Sequence, residues 1–256
     1  MTRMRRPDKR ARQQIILGEA RRSAALRVAE LARRLGVSGE TIRRDLDELG
    51  KAGQLRRIYG GATLPSCAAD GAAWRNGAQA AALERMAAVV AARVEPGQTV
   101  MISGGEPARH VAQRLARSAA HLTFITNDLG VAAVAGGGAA EVVLCPGTYD
   151  AADGSVQGED TVEYLARFTP DLAIIASSAL SASGASDALR SSANVKRAML
   201  RSGARAMLVI ERRHLGCRAL QEIGPLAAFA EIVTSGNPPP AIATACRDAG
   251  VLLTTA

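Results

Sequence analysis

Apolar residues recur along this chain with two different spacings, and the change from one to the other divides it. In the leading quarter the period is helical. Val28, Leu31, Ala32 and Leu35 fall at i, i+3, i+4 and i+7, one apolar stripe that predicts a helix from near Leu26 to Leu35. Gly36 follows, a residue suited to the left-handed conformation that closes a helix. Ser38 then offers an N-cap oxygen to a further helix, whose stripe is Ile42, Leu46 and Leu49 and whose end is expected at Gly50 and Gly53. Upstream, Ile15, Ile16 and Leu17, with Asp8 where a cap or first-turn acid belongs, predict a helix of about ten residues around Arg12–Gly18. Leu55 and Ile58, interleaved with Arg56 and Arg57 and followed by Gly60 and Gly61, predict a small hairpin.

Residues 62–80, ATLPSCAADGAAWRNGAQA, carry small residues, two glycines and a proline but no sustained period, and are expected to form a linker in which the lone Trp74 packs onto a domain. A helix is expected from Leu83 to Val94, ended by Glu95-Pro96-Gly97. Short apolar runs then alternate with helical segments: TVMIS (99–103), TFIT (123–126), EVVLC (141–145), DLAIIA (171–176), AMLVI (206–210), EIVT (231–234) and VLLTT (251–255). Apolar strands separated by helices imply an α/β domain with a mostly parallel sheet covered on both faces. The division expected is a small, mostly helical head over 1–62, a linker over 63–80 and a larger domain over 81–256.

Charge sharpens that division. Residues 1–61 hold 16 Lys and Arg against 7 Asp and Glu, a net of +9, while the remaining 195 residues hold 16 against 17, a net of −1. A basic module on a balanced body fits a polyanion-binding head. The aromatic share of 3% argues against stacking platforms for single strands. Cys67, Cys145, Cys217 and Cys246 lie far apart with no metal spacing, so reduced, mostly buried thiols are expected, with no metal and no cofactor. With no apolar span and no secretory leader, the expected setting is the cytoplasm.

At about 100° per residue, the stripe of the third helix leaves Glu40, Thr41, Arg43, Arg44, Asp47 and Glu48 outward. Asp45 falls at the core edge, where it suits a structural partner for an arginine better than a base reader. Arg44, almost opposite the stripe, and Thr41 are placed for base edges; Ser38 and Arg43 are placed for the phosphate backbone, with Arg56, Arg57 and Tyr59 on the flank. An ordinary solvated face also mixes acids with arginines in this way.

The run VSGETIRRDLDELGKAGQLRRIYGGA closely resembles the winged helix-turn-helix signature of the DeoR family of bacterial transcription regulators, a VSxxTIRRDLxxL helix followed by a wing ending in HGGA. Tyr59 stands where that histidine would be. The resemblance continues to about residue 235 and implies an effector domain similar in fold to ribose-5-phosphate isomerase, one that senses phosphorylated sugars or related metabolites and assembles homo-oligomers on a double-stranded operator. The turns Ser103-Gly104-Gly105-Glu106, Thr126-Asn127-Asp128 and Pro146-Gly147-Thr148 are candidate ligand loops, since strand carboxyl ends and helix starts collect ligands there; such turns also cap helices with no ligand at all. Gly105, Thr126, Asn127 and Gly147 match the family pattern. The family's aspartate is Ser103 here, its paired threonines are Glu106-Pro107, its ADG turn is Ser177-Ser178-Ala179, and its lysine position falls on His214.

The effector candidates are thus Ser103, Gly104, Gly105, Glu106, Thr126, Asn127, Gly147 and His214. A carboxylate at Glu106 disfavours a neighbouring phosphate by several kcal/mol where water is partly excluded. It is left with three roles: pairing with Arg109, accepting hydroxyls or an amine from another ligand, or standing in a domain that no longer senses. His214 is either a pH-sensitive donor or an exposed loop histidine. The expected function is a transcription regulator, a repressor by family habit, that responds to a small metabolite. The alternatives are an isomerase-like enzyme drawing on Glu106, Asp128 or His214, and a DNA-binding protein without an effector.

Overall fold

The computed structural model describes residues 8–20, 26–51, 55–58, 61–63, 77–118, 121–138, 140–151, 153–202 and 205–256. The chain divides into two compact units, Met1–Ser66 and Cys67–Ala256. The first comprises α1 (Lys9–Ala20), β1 (Leu26–Arg27), α2 (Val28–Leu35), α3 (Gly39–Lys51), β2 (Arg56–Ile58) and β3 (Gly61–Thr63). Asp8 caps α1 by accepting the Ala11 amide at 2.8 Å. Gly36 ends α2 at a φ of 64°, where a side chain would be strained. The apolar stripes converge as their spacing requires, burying Ile16, Leu26, Val28, Leu31, Leu35, Ile42, Leu46, Leu49 and Leu55 together.

Three boundaries differ from expectation. Leu26 and Arg27, assigned by periodicity to the start of a helix, are extended and pair antiparallel with Ala62 and Gly61, so the hairpin gains a third strand. Two residues cannot declare a period, and the strand they pair with lies far along the chain. The third helix also runs through Gly50 to Lys51, while the second expected stop, Gly53, lies outside the described residues. Finally, α4 (Gly77–Ala91) starts inside the expected linker; Trp74 and Cys67 are outside the described residues.

After α4 come β4 (Thr99–Ile102), α5 (Glu106–Ser118), β5 (Thr123–Thr126), α6 (Leu129–Ala135), β6 (Glu141–Leu144), β7 (Thr148–Asp150), β8 (Ser155–Gln157), α7 (Glu159–Leu165), β9 (Leu172–Ala176), β10 (Ala179–Ser181), β11 (Gly184–Asp187), α8 (Arg190–Ser202), β12 (Ala206–Ile210), β13 (Gln221–Gly224), β14 (Glu231–Thr234), α9 (Pro240–Asp248) and β15 (Leu252–Thr255). All seven apolar runs form one parallel sheet in the order β15-β14-β12-β9-β4-β5-β6. Alternate residues of each strand enter opposite layers. Val100, Ile102, Phe124, Ile174 and Val209 pack with Leu83, Met86, Leu115 and Val131 on one face. Met101, Ile125, Ile175 and Leu208 pack with Leu165, Val195, Met199 and Ile242 on the other. Burial on both faces is why the five inner strands read as continuous apolar runs, while the edge strands β6 and β15 are only partly covered.

From β4 the chain winds outward to β5 and β6, then returns to place β9 on the opposite side of β4. The connections after β4 and β9 therefore leave on opposite faces of the sheet, and open α/β sheets usually place a ligand in the crevice between two such connections at the carboxyl edge. The hairpin β7-β8 and the small antiparallel sheet β10-β11-β13 lie beyond the main sheet. Neither was legible in advance, because strands of three or four small or polar residues show no usable alternation.

Candidate functional site

In the head, Ser38 caps α3 as its position suggested. Its Oγ accepts the Thr41 amide at 3.1 Å and lies 2.9 Å from the Thr41 hydroxyl. Asp45 is buried and paired with the Arg12 guanidinium through two hydrogen bonds, one from Nη2 at 3.0 Å and a shorter one from Nε. That contact raises the pKa of Arg12 further above its ordinary value. It bolts α1 to α3, and Lys9 and Gln13 reinforce the join through Glu48 at 2.7 and 2.9 Å. The face of α3 that remains carries Glu40, Arg43 and Arg44, all exposed. Glu40 holds both arginines, Arg43 at 3.3 Å and Arg44 at 3.6 Å. These exposed pairs are worth little against water and leave both guanidinium groups available to another anion. Arg56 and Arg57 lie on β2, the strand after α3; Tyr59 lies outside the described residues.

The second unit brings most of the remaining candidates to the β4–β9 crevice and its flanks. Ser103 spends its hydroxyl inside the fold, accepting the Ala176 amide at 2.9 Å and donating to the Gly104 carbonyl, which ties β4 to β9. Gly104 and Gly105 are there for lack of space. A Cβ on Gly104 would lie 2.5 Å from Asp128 Oδ2; one on Gly105, at a φ of 119°, would lie 3.1 Å from the Ala176 methyl. Thr126 is buried and accepts the Asp128 amide at 3.1 Å. Asn127 is buried and donates from Nδ2 to the Val156 carbonyl at 2.8 Å. Glu106 starts α5 half-buried, and its carboxylate lies 3.4 Å from His110 Nε2.

Two expectations are corrected. Arg109 is held chiefly by Asp128 rather than Glu106: its guanidinium donates to both Asp128 oxygens, at 3.0 and 2.8 Å, and to the Asp153 carbonyl at 3.3 Å, while Glu106 adds a weaker electrostatic attraction. Asp128 also caps α6 by accepting the Val131 amide at 2.8 Å, so the proposed acid/base carboxylate is already committed. His214 is not an exposed loop residue. It sits half-buried in a single helical turn, Arg212–His214. Burial foremost, then the Arg213 charge, pushes its pKa down to about 4 against the pull of a Ser178 main-chain hydrogen bond and of Asp187. Gly147 lies away from the crevice, after the edge strand β6, where a Cβ would meet the Thr161 hydroxyl at 2.2 Å.

Sequence reasoning missed a buried cluster beside His214. Asp187, at the end of β11, receives hydrogen bonds from Lys196 Nζ, Ser178, Ser192 and the Ala188 amide. Burial by itself pushes this carboxyl up, but the Lys196 charge and those bonds outweigh it and hold the pKa below the usual range. No local signal marks Asp187, which occurs in a run of Ser, Gly and Ala. Among the described residues no group of His, Cys, Asp and Glu is arranged to hold a metal. Nor is any described helix long and apolar enough to cross a membrane. Cys145 and Cys246 are buried and unpaired, and burial pushes the Cys145 thiol up to about 12.

A basic winged head joined in one chain to a parallel α/β unit with a topological switch point at its carboxyl edge defines a DNA-binding regulator with a ligand-sensing domain. Residues 12–67 match the DeoR-like helix-turn-helix domain and residues 78–236 the DeoR C terminal sensor domain, so the chain belongs to the DeoR family of transcription regulators. It is 29% identical to the glycerol-3-phosphate regulon repressor of Escherichia coli (strain K12) over 223 residues, 86% of this chain and 88% of that protein. It is 29% identical to the HTH-type transcriptional repressor CsqR of the same organism over 229 residues, 88% and 87% of the two chains. Among solved structures, a D-ribose-5-phosphate isomerase in complex with phospho-erythronic acid overlaps 53% of this chain and 54% of its own at a TM-score of 0.40 and 8% identity, too slight an overlap to carry a functional comparison.

Proposed function

We propose that this regulator is a repressor that lays α3 into the major groove of an operator and is released when a small hydroxylated metabolite occupies the β4–β9 crevice. Arg44 and Thr41 meet base edges; Ser38 and Arg43 hold phosphates; Arg56, Arg57 and Tyr59 flank them. The single observation that carries this reading is the orientation of α3. Asp45, the one acid of its middle that turns inward, is taken up by Arg12, and the opposite face presents Arg43 and Arg44 to solvent.

The repressor role is supported by the relatives, several of which are repressors. Assembly into homo-oligomers, which would set two heads on repeated half-sites, is supported by exposed apolar side chains at Leu129, Leu144 and Tyr149 beside the edge strand β6.

The reading is tested by titrating the full chain against the DNA upstream of its own gene and against random duplex. Arg44→Ala should lose about 1–3 kcal/mol of preference for its own site, whereas Arg43→Ala should weaken both duplexes alike and lower the salt slope by about 1. Undiminished preference in Arg44→Ala would remove the base-reading role.

A further inference from the structure

The outward face of α3 is not uniformly basic. At about 100° per residue, Glu40 and Arg44 leave the helix within about 30° of the direction opposite the buried stripe of Ile42, Leu46 and Leu49, while Arg43 and Thr41 stand to either side. Glu40 also lies one turn nearer the amino end, the part of a recognition helix that meets base edges. Its side chain is 60% exposed. Asp45 and Glu48, by contrast, are held on the α1 side by Arg12, Lys9 and Gln13.

A carboxylate in that place works against affinity. Duplex DNA carries about one negative charge per 1.7 Å of its axis, and Glu40, 3.3 Å from Arg43 and 3.6 Å from Arg44, offsets charge that would otherwise meet the phosphates. Those two contacts leave it acceptor capacity, since a carboxylate has about four lone-pair sites. In the major groove the donors offered to an acceptor are the amino groups of cytosine and adenine, and cytosine N4 is the usual partner of a glutamate. The guanine of the same pair presents O6 and N7 to an arginine, and Arg44 follows Glu40 one turn along the same face.

We infer that Glu40 is a specificity-determining residue whose carboxylate accepts a hydrogen bond from the N4 amino group of one cytosine in the operator. Where thymine or guanine stands in that position, the carboxylate meets acceptor atoms and no donor, so the wrong site is penalised. Glu40 thereby gives up affinity for every duplex in exchange for preference among them. The inference rests on the proposed placing of α3 in the major groove and adds the base that its acidic side chain reads. A first-turn acid also favours the helix dipole, and Ser38 already caps the same end; that role is blind to the bases, so base preference separates the two.

The full chain is used to enrich sites from a pool of random-sequence duplexes, and each position of the enriched site is then replaced in turn, with binding followed by fluorescence anisotropy. At one position, thymine in place of cytosine should weaken the wild type about tenfold. Glu40→Ala should lose that difference, keep the preferences at other positions, and bind random duplex several-fold more tightly, because a negative charge has left the DNA-facing surface. Glu40→Gln should move the preference at the same position from cytosine to adenine, the usual partner of a glutamine. An enriched site in which no cytosine preference depends on Glu40 overturns the inference. So does an equal loss at all positions, which would mean that Glu40 only orients Arg43 and Arg44. Arg44→Ala, which should alter the preference at a different position, reports on the placing of α3 independently. A wild-type chain that enriches no sequence overturns that placing and this inference together.

Discussion

His214 shows how a side chain's surroundings outrank its position in the sequence. It titrates near 4 in the folded chain and near 6.5 when unfolded. As pH falls from 6.5 towards 4 the unfolded chain takes up the proton first, so stability is lost across that window and is flat above it. The loss should reach on the order of 2–3 kcal/mol, at about 1.4 kcal/mol per pH unit. Thermal unfolding from pH 4 to 7 should show it, and His214→Gln should flatten that part of the curve; an unchanged profile in the variant would remove the assignment. The inward turn of Asp45 was legible, because a helix wheel fixes which way each side chain leaves α3. The partners of Arg109 and Glu106 were not. Both sit in the first turns of α5, and simple proximity suggests that they pair. Asp128, capping α6, offers Arg109 two well-aligned oxygens, and Glu106, which attracts Arg109 more weakly, also lies against His110.

At the scale of elements, the strong periods survived folding and the weak ones did not. Stretches of four or five mainly apolar residues, buried on both faces in the five inner strands, declared themselves as strands. Hairpin β10-β11 did not, because ALS and GASD carry no alternation; its place is set by contact. Gly184, at a φ of 133°, has the Gly224 carbonyl oxygen 2.2 Å from where its Cβ would lie. Gly97 also has positive φ, 83°, but nothing within 4 Å. Gly97→Ala should therefore cost about 1 kcal/mol of backbone strain alone, and Gly184→Ala at least about 3 kcal/mol once backbone overlap is added. Equal melting temperatures for the two variants would show that β11 and β13 separate more easily than their packing suggests.

For the molecule as a whole, the uneven charge separates two kinds of behaviour. DNA affinity should fall by orders of magnitude between 50 and 200 mM salt, because phosphate contacts release counterions. Effector affinity should barely move if the ligand carries no net charge. Fluorescence anisotropy of labelled DNA and calorimetry of a metabolite that releases it, run over the same salt series, make the comparison. An effector as salt-sensitive as DNA would mean that the crevice reads an anion.

What the sequence determined by itself follows from local rules: helix stripes, the Gly36 and Ser38 punctuation, seven apolar strands and the cationic head are each written within a few consecutive residues, where chain geometry leaves little choice. What only the tertiary structure decided is who meets whom. The order of strands that sets β4 against β9, the pairing of Asp187 with Lys196 and the bond from Asn127 to the Val156 carbonyl all depend on residues far apart in the chain. Contacts of that kind are set by packing and desolvation, which no local pattern records.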